Sequence, residues 1–290
     1  MSWQRWRERL IEGAITVCGV SSIAIVVLIF LFLLREGFAL FHTTSMAAFL
    51  GGNRWYPISD PPQFGILPLI LGSCAVTAGA VVIAVPLSIA SALFVSEIAT
   101  GWSKDALKAG IELLAAIPSV VLGFIGMIVL APWIRHTFHL PTGLTALTGS
   151  VVLGFMAMPT IVSITEDALA AVPRGHREAA LALGATHWQM MSRVLLPAAR
   201  SGILAAVMLG IGRVIGETMA VMMVTGNAAV IPHGLLQPVR TMTATIAAEM
   251  GEAVRGSDHY FALFAIGVVL FVISFLINMS ADLFLHRDRS

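Results

Sequence analysis

Arg177-Glu178-Ala179-Ala180-Leu181-Ala182-Leu183-Gly184-Ala185-Thr186-His187-Trp188-Gln189, running on to Val194-Leu195-Leu196-Pro197, separates two long apolar runs. Ala and Leu are strong helix formers, so residues 178–183 predict a short helix. Gly184 supplies the position that ends it. Thr186, with Gln189 three residues on, is a capping-box signature for a second short helix. Pro197 does not continue that helix comfortably and leads into the next apolar run. Two short helices with a break between membrane-length segments describe a structured loop on one side of a bilayer.

Working outward, six apolar runs are long enough to cross a membrane: about 13–34, 65–94, 111–134, 144–164, 201–225 and 260–285. A hydrocarbon core of about 30 Å needs roughly 20 helical residues. The whole composition agrees, with 58% hydrophobic and 11% charged residues, against roughly a quarter charged in a soluble domain. Lipid must solvate much of this surface, and the expected fold class is an all-α, polytopic membrane protein with about six transmembrane helices. The run at 13–34 is too long for the apolar core of a cleavable signal and ends at Arg35-Glu36 without a small-residue cleavage site, so it reads as a retained span. Pro86, Pro118 and Pro159 fall within expected spans, where neighbouring helices can satisfy freed carbonyls. No internal repeat is evident.

Lys and Arg accumulate on the cytoplasmic side of membrane proteins. With the N-terminus inside, six spans return the C-terminus inside. The inner segments then carry Arg5, Arg7, Arg9, Lys104, Lys108, Arg174, Arg177, Arg193, Arg200, Arg287 and Arg289, and the outer ones Arg35, Arg54, Arg135, Arg240 and Arg255. Eleven against five, with Arg213 inside a span, account for all 17. The expectation is a multi-pass membrane protein with both termini cytoplasmic. The longest outer segments, 35–64 and 226–259, are too short for a soluble catalytic or receptor domain, and 241–253 is rich in helix formers. A net charge of +1 gives no basic stripe for nucleic acid. Cys18 and Cys74 lie in apolar runs and read as small core residues, not as a disulfide or metal site.

The inner loop now becomes specific. Glu178-Ala179-Ala180, Gly184 with nine residues between it and Val194, and Leu195-Leu196-Pro197 together resemble the EAA motif of binding-protein-dependent ABC importer permeases, with Val194 where that family usually has Ile. The resemblance implies a type I ABC importer fold and a loop, 173–197, that docks on a cytoplasmic ATPase through Glu178, Ala179, Ala180, Gly184, Thr186 and Trp188, with His187 beside them. An ordinary amphipathic surface helix is the alternative for the Glu-Ala-Ala run by itself. There is no Gly-Lys dipeptide and hence no Walker-type phosphate loop. An energised transporter of this sequence therefore needs a separate ATPase; the chain itself is expected to be no enzyme and to hold no cofactor, with ATP and magnesium on the partner.

The fifth run contains Gly210-Ile211-Gly212-Arg213-Val214-Ile215-Gly216-Glu217-Thr218-Met219-Ala220. Charged residues inside a span cost several kcal/mol unless paired and commonly mark a pathway. In a continuous helix the spacing of four puts Arg213 and Glu217 on one face, and Gly212 with Gly216 would thin an adjacent face for close helix approach. A static Arg–Glu staple is the alternative to a pathway role.

This block, with Thr225-Gly226-Asn227, Glu112 to Val121, and the blocks at Thr241-Met242-Thr243 and Asp258-His259-Tyr260, resembles the PstC-type permease subunits of phosphate importers. Matching blocks run from the second span to the sixth, dividing the chain into 1–64 (a span plus an outer segment) and 65–290 (the importer transmembrane domain). The resemblance implies a substrate pathway through Arg213, Glu217 and Thr218. Arg213 would contact the oxyanion, because its donor fork matches phosphate, and Glu217 would hold Arg213 when the path is empty. It also implies as partners a paralogous PstA-type permease, two ATPase subunits and an outer phosphate-binding protein, besides membrane lipid. Thr218 equally reads as bonded to its own backbone, and Asn227 is a weaker candidate. His136 and His139 make a poor metal pair. Glu112 reads as a charge at a helix N-terminus. A sulfate or molybdate permease and a signalling platform driven by the ATPase are the other readings. A membrane enzyme lacks a nucleophile–base pair on one side.

Overall fold

An apolar segment in lipid satisfies its backbone by coiling on itself, and the computed structural model, which describes residues 2–287, is helical for most of its length. Helix α1 (Ser2–Ala39) leads through a 3-10 turn to α2 (Met46–Gly51), which is capped by Ser45 Oγ accepting from the Ala48 N–H. A two-residue hairpin follows, β1 (Trp55–Tyr56) against β2 (Gln63–Phe64). Helix α3 (Leu67–Leu93) contains Pro86 and ends in a π-helical turn, Phe94–Ile98. Then come α4 (Trp102–Ala116), α5 (Ser119–Ile125), α6 (Ala131–Thr137) and α7 (Ala146–Ala170). The loop elements α8 (Arg174–Ala182), α9 (His187–Met190) and α10 (Leu196–Ala198) precede α11 (Arg200–Ile215), α12 (Met219–Val224), α13 (Met242–Glu249) and α14 (Asp258–Arg287).

Five stretches are long and apolar enough to cross a membrane: Leu10–His42, Leu67–Ile98, Ser119–Thr137, Ala146–Ala170 and Asp258–Ser280. A sixth is broken, with His187–Ala198 and Arg200–Ile215 meeting at 72°. Of the basic residues assigned to the inner side, Arg289 lies outside the described residues.

Two expected spans are interrupted, the third at a proline and the fifth at a glycine. The third does not run 111–134: Ile117 is extended (φ −68°, ψ 125°), as a residue before proline prefers, so Pro118 separates α4 from the membrane-length stretch that starts at Ser119. Glu112 consequently sits in the latter half of α4, and the acid of its first turn is Asp105. The fifth does not run 201–225: α11 stops at Ile215, and Gly216-Glu217-Thr218 separates it from α12.

Helix α7 is the centre of the bundle. Leu153, Met156, Ala157 and Ile161 bury against Val76, Ala80 and Ala84 of α3 and against Ala206 and Val214 of α11. Small residues on α3 let the backbones approach closely, and Ser150 Oγ donates to Val76 O across them (3.1 Å). Helix α1, by contrast, packs chiefly on α14, where Phe30 stacks on Phe271 with centroids 4.5 Å apart. Cys18 and Cys74 are exposed, contrary to the core reading. Lipid is itself apolar, so nothing drives a small apolar residue inward.

At the end of α7 away from α8, residues 226–241 fold back into the bundle. Gln237 O and Leu235 O accept from Ala146 N (2.9 Å) and Leu147 N (2.7 Å), covering N–H groups that an α-helix start leaves unpaired. Helix α13 confirms the helix-forming stretch at 241–253 and is capped by Thr241. It is anchored by Met242 N donating to Ser73 Oγ (3.0 Å). Beside it, one carboxylate serves three donors: Glu249 accepts from Trp55 Nε1 (3.0 Å), Arg240 Nη1 and His259 Nε2 (2.8 Å). This joins the hairpin segment to α13 and α14.

Candidate functional site

The loop 173–197 takes the caps its sequence predicts, but the second helix neither stays short nor stops at Pro197: a π-helical turn, Met191–Leu195, joins α9 to α10, so the helix runs from His187 through Pro197 to Ala198 before the chain bends. Helix α8 closes in a Schellman motif, with Ala185 N donating to Ala180 O (3.1 Å) and Gly184 N to Leu181 O (3.0 Å). Gly184 takes φ +83°, the left-handed backbone that glycine adopts without a Cβ clash. The capping box is complete: Thr186 Oγ1 accepts from Gln189 N (3.2 Å), and Gln189 Oε1 accepts from Thr186 N (2.9 Å).

This geometry sorts the motif into two faces. Ala180 is buried with Val172, Met190, Met191 and Leu195, so its small side chain lets α8 sit close to the following turn. Glu178 and Ala179 point outward. So do Leu183, 89% exposed, and Trp188, 68% exposed. A leucine and a tryptophan held out by two capped helices form an apolar surface of the kind that marks a protein contact.

Behind that surface lie polar contacts that sequence reasoning missed. Arg177 donates to Glu97 Oε1 (3.0 Å), and Lys108 Nζ meets Glu166 Oε1 at 2.7 Å. The bond to Glu166 raises the Lys108 pKa above the ordinary lysine value and keeps it protonated. Glu97 and Arg177 are 80 residues apart in sequence, so local spacing gives no signal for their pairing.

Deeper in the bundle, Arg213, Glu217 and Thr218 are close in sequence but serve separate contacts. Arg213 is exposed near the end of α11, and its Nη1 donates to Thr160 Oγ1 of α7 at 3.4 Å. Glu217 Oε1 accepts from Ala220 N (3.2 Å) and so caps α12, while Glu217 O accepts from Thr243 Oγ1 (2.9 Å). Among the described residues no ion pair joins Arg213 to Glu217. The helix break at Gly216 removes the common face that a spacing of four requires. Thr218 Oγ1 donates to Gly216 O (3.2 Å), which is the backbone role foreseen for it. Asn227 Nδ2 donates to Met222 O (2.9 Å), and its Oδ1 is buried without a partner.

The glycine expectation also shifts. A Cβ at Gly212 would find only Asn278 Oδ1 at 4.0 Å, whereas one at Gly210 would lie 2.6 Å from Ile161 Cγ1. The close approaches of α11 to α7 are therefore at Gly210 and at Gly202, whose Cβ would lie 2.4 Å from Ala168 Cβ, and not at Gly212, which lies on nearly the opposite side of the helix from Gly210. Among the described residues no group of three or more His, Cys, Asp or Glu is arranged to hold a metal.

Comparison with known proteins follows this geometry. Residues 84–289 match the family model described as binding-protein-dependent transport system inner membrane component. The chain is 44% identical over 264 residues to a probable ABC transporter permease protein, YqgH, of Bacillus subtilis, covering 90% of this chain and 85% of that protein. It is 38% identical over 259 residues to the phosphate transport system permease protein PstC of Mesorhizobium japonicum, covering 83% and 78%. Among solved structures, a bacterial alginate ABC transporter chain superposes with a TM-score of 0.68 at 14% identity, covering 96% of this chain and 95% of that one. A chain of the MetNI methionine ABC transporter, inward facing, gives 0.58 at 22% identity, covering 77% and 94%. The structural likenesses establish the fold, and the sequence matches establish the lineage: the chain belongs to the binding-protein-dependent transport system inner membrane components, as a permease subunit of an ABC importer whose ATP hydrolysis is done by a partner ATPase.

Proposed function

We propose that this chain is one permease half of an ATP-driven importer of inorganic phosphate. The observation that carries the substrate is the 38% identity to a PstC phosphate permease over 83% of the chain. Both termini are placed in the cytoplasm by the bias of Lys and Arg, so α8 and α9 face the ATPase. Leu183 and Trp188 insert into that partner, with Glu178, Ala179 and Thr186 around them. The remaining partners are a paralogous PstA-type permease, a second ATPase subunit and an outer phosphate-binding protein; ATP and magnesium sit on the ATPases.

An exposed guanidinium on a membrane-length helix is costly against lipid. Arg213 therefore faces a watered path shared with the second permease, where its planar fork suits phosphate oxygens. Its partner among the described residues, Thr160, is neutral and 3.4 Å away, so a passing anion displaces a weak contact and not an ion pair. Glu217 shapes the same region by fixing the start of α12. Thr218 closes the turn between them.

The test is phosphate uptake at low concentration in cells that lack other phosphate importers and express this chain with its partners. Uptake by the wild type and not by Arg213→Gln, at equal assembly, supports the assignment. Equal uptake makes Arg213 structural. No uptake by either points to another oxyanion, such as sulfate or molybdate, or to a signalling platform.

A further inference from the structure

Arg177 stands immediately before the Glu-Ala-Ala run, and unlike Glu178 and Ala179 it is partly buried. Its guanidinium makes four hydrogen bonds. Nε (3.2 Å) and Nη2 (3.0 Å) both reach Glu97 Oε1, Nη1 reaches Val172 O (2.8 Å), and Nη2 reaches Leu169 O (2.8 Å). Glu97 lies in the π-helical turn that ends the α3 segment, and Leu169 in the last turn of α7. One side chain of α8 thus holds the ends of two membrane-length helices. The Arg177 and Glu97 side chains are only 19% and 9% exposed, so salt screens this pair far less than a surface pair. Lys108 and Glu166 tie α4 to the same end of α7.

Nine residues before Leu169, the same helix presents Thr160 to Arg213. At 1.5 Å per residue the two contacts are about 13 Å apart along α7. Over that interval one face of α7 packs against α3 and α11 through Ile161, Val162 and Leu169, so it moves as a packed element and does not bend independently.

The geometry points to Arg177, with Glu97, as the pin through which displacement of α8 reaches α3 and α7, and to α7 as the rod that carries it to Arg213. This rests on the reading of α8 and α9 as the ATPase contact. Neither residue touches substrate; both are positioning residues. Without the pin, α8 is still seated by Ala180 in its apolar cluster, so it stays folded but yields when pushed.

Arg177→Lys keeps the charge and loses the fork, and Glu97→Gln keeps an acceptor and loses the charge. In the assembled complex reconstituted into vesicles, each variant is expected to hydrolyse ATP within about twofold of wild type while phosphate moved per ATP falls by about tenfold or more. A second readout needs no transported solute. Ser163→Cys places a thiol on the exposed side of α7 between the two contacts, in a background carrying Cys18→Ala and Cys74→Ala. Its maleimide labelling rate is expected to change on trapping with ATP and vanadate, and to stop responding when Arg177→Lys is added. Loss of that response in a complex that moves no phosphate would support the pin while overturning the phosphate reading. Wild-type ratios of transport to hydrolysis in both variants would overturn the pin. So would a labelling response that Arg177→Lys leaves intact, or no response in the parent.

Discussion

The loop at 173–197 and the Arg213–Thr218 segment are both polar interruptions of apolar sequence, yet one takes the caps its spacing predicts and the other breaks the helix its spacing assumes. In the loop, the contacts that end one helix and start the next are local: the Schellman closure, the left-handed Gly184 and the reciprocal Thr186–Gln189 bonds span a few residues. In the segment, the partners that decide the conformation come from elsewhere. Thr160 of α7 accepts from Arg213, and Thr243 of α13 donates to the Glu217 carbonyl. A short-range motif can be read from a string of residues when its energy is short-range. Periodicity inside an apolar run, by contrast, assumes that the helix continues.

Five substitutions sharpen this contrast, taken from the largest expected effect to the smallest with one paired control. Gly210→Ala would press a methyl onto Ile161, itself 1% exposed, and should destabilise the chain by about 2 kcal/mol, as overpacking does. Gly212→Ala, only two residues away, should be neutral or slightly stabilising because that face is open. Thermal unfolding of the detergent-solubilised protein, monitored for both, reverses the assignment of the tight face if Gly212→Ala is the worse. Gly184→Ala should cost roughly 1.5 kcal/mol from the left-handed backbone and weaken co-purification of the ATPase while leaving the span packing unchanged. Thr186→Ala removes one side of the capping box and should cost about 1 kcal/mol; faster local hydrogen exchange at Gln189 would report it. Glu217→Gln should change stability by less than about 0.5 kcal/mol, since an amide oxygen can still accept from Ala220 N. A loss several times larger in the same melts would restore a charge-pairing role for Glu217.

Fold class and the number of apolar crossings were legible because a bilayer demands length and hydrophobicity, which a sequence displays directly. The loop was legible down to its capping residues. Interruptions were harder. Pro118 lies within an expected span, and proline is often tolerated in membrane helices, yet here it holds Ile117 extended and breaks the helix. Gly216 carries a similar warning, with Thr218, a weak helix former, two residues on. The Arg177–Glu97 and Glu249 contacts were hidden for a different reason. They join residues 80 and up to 194 positions apart, and no periodicity encodes which distant carboxylate a given arginine or indole will meet.

The packing of α1 on α14 has a consequence for how the protein is made. More than two hundred residues separate Ala39 from Asp258, and at ribosomal speeds of about 5–20 residues per second roughly 10–45 s pass between their emergence. During that interval α1 has no steady companion within its own chain. It can wait because its backbone is already hydrogen-bonded to itself and lipid suits its apolar surface. The Phe30–Phe271 stack is therefore among the last contacts of biosynthesis to form, the clasp that joins the two ends of the bundle after everything between them has been inserted.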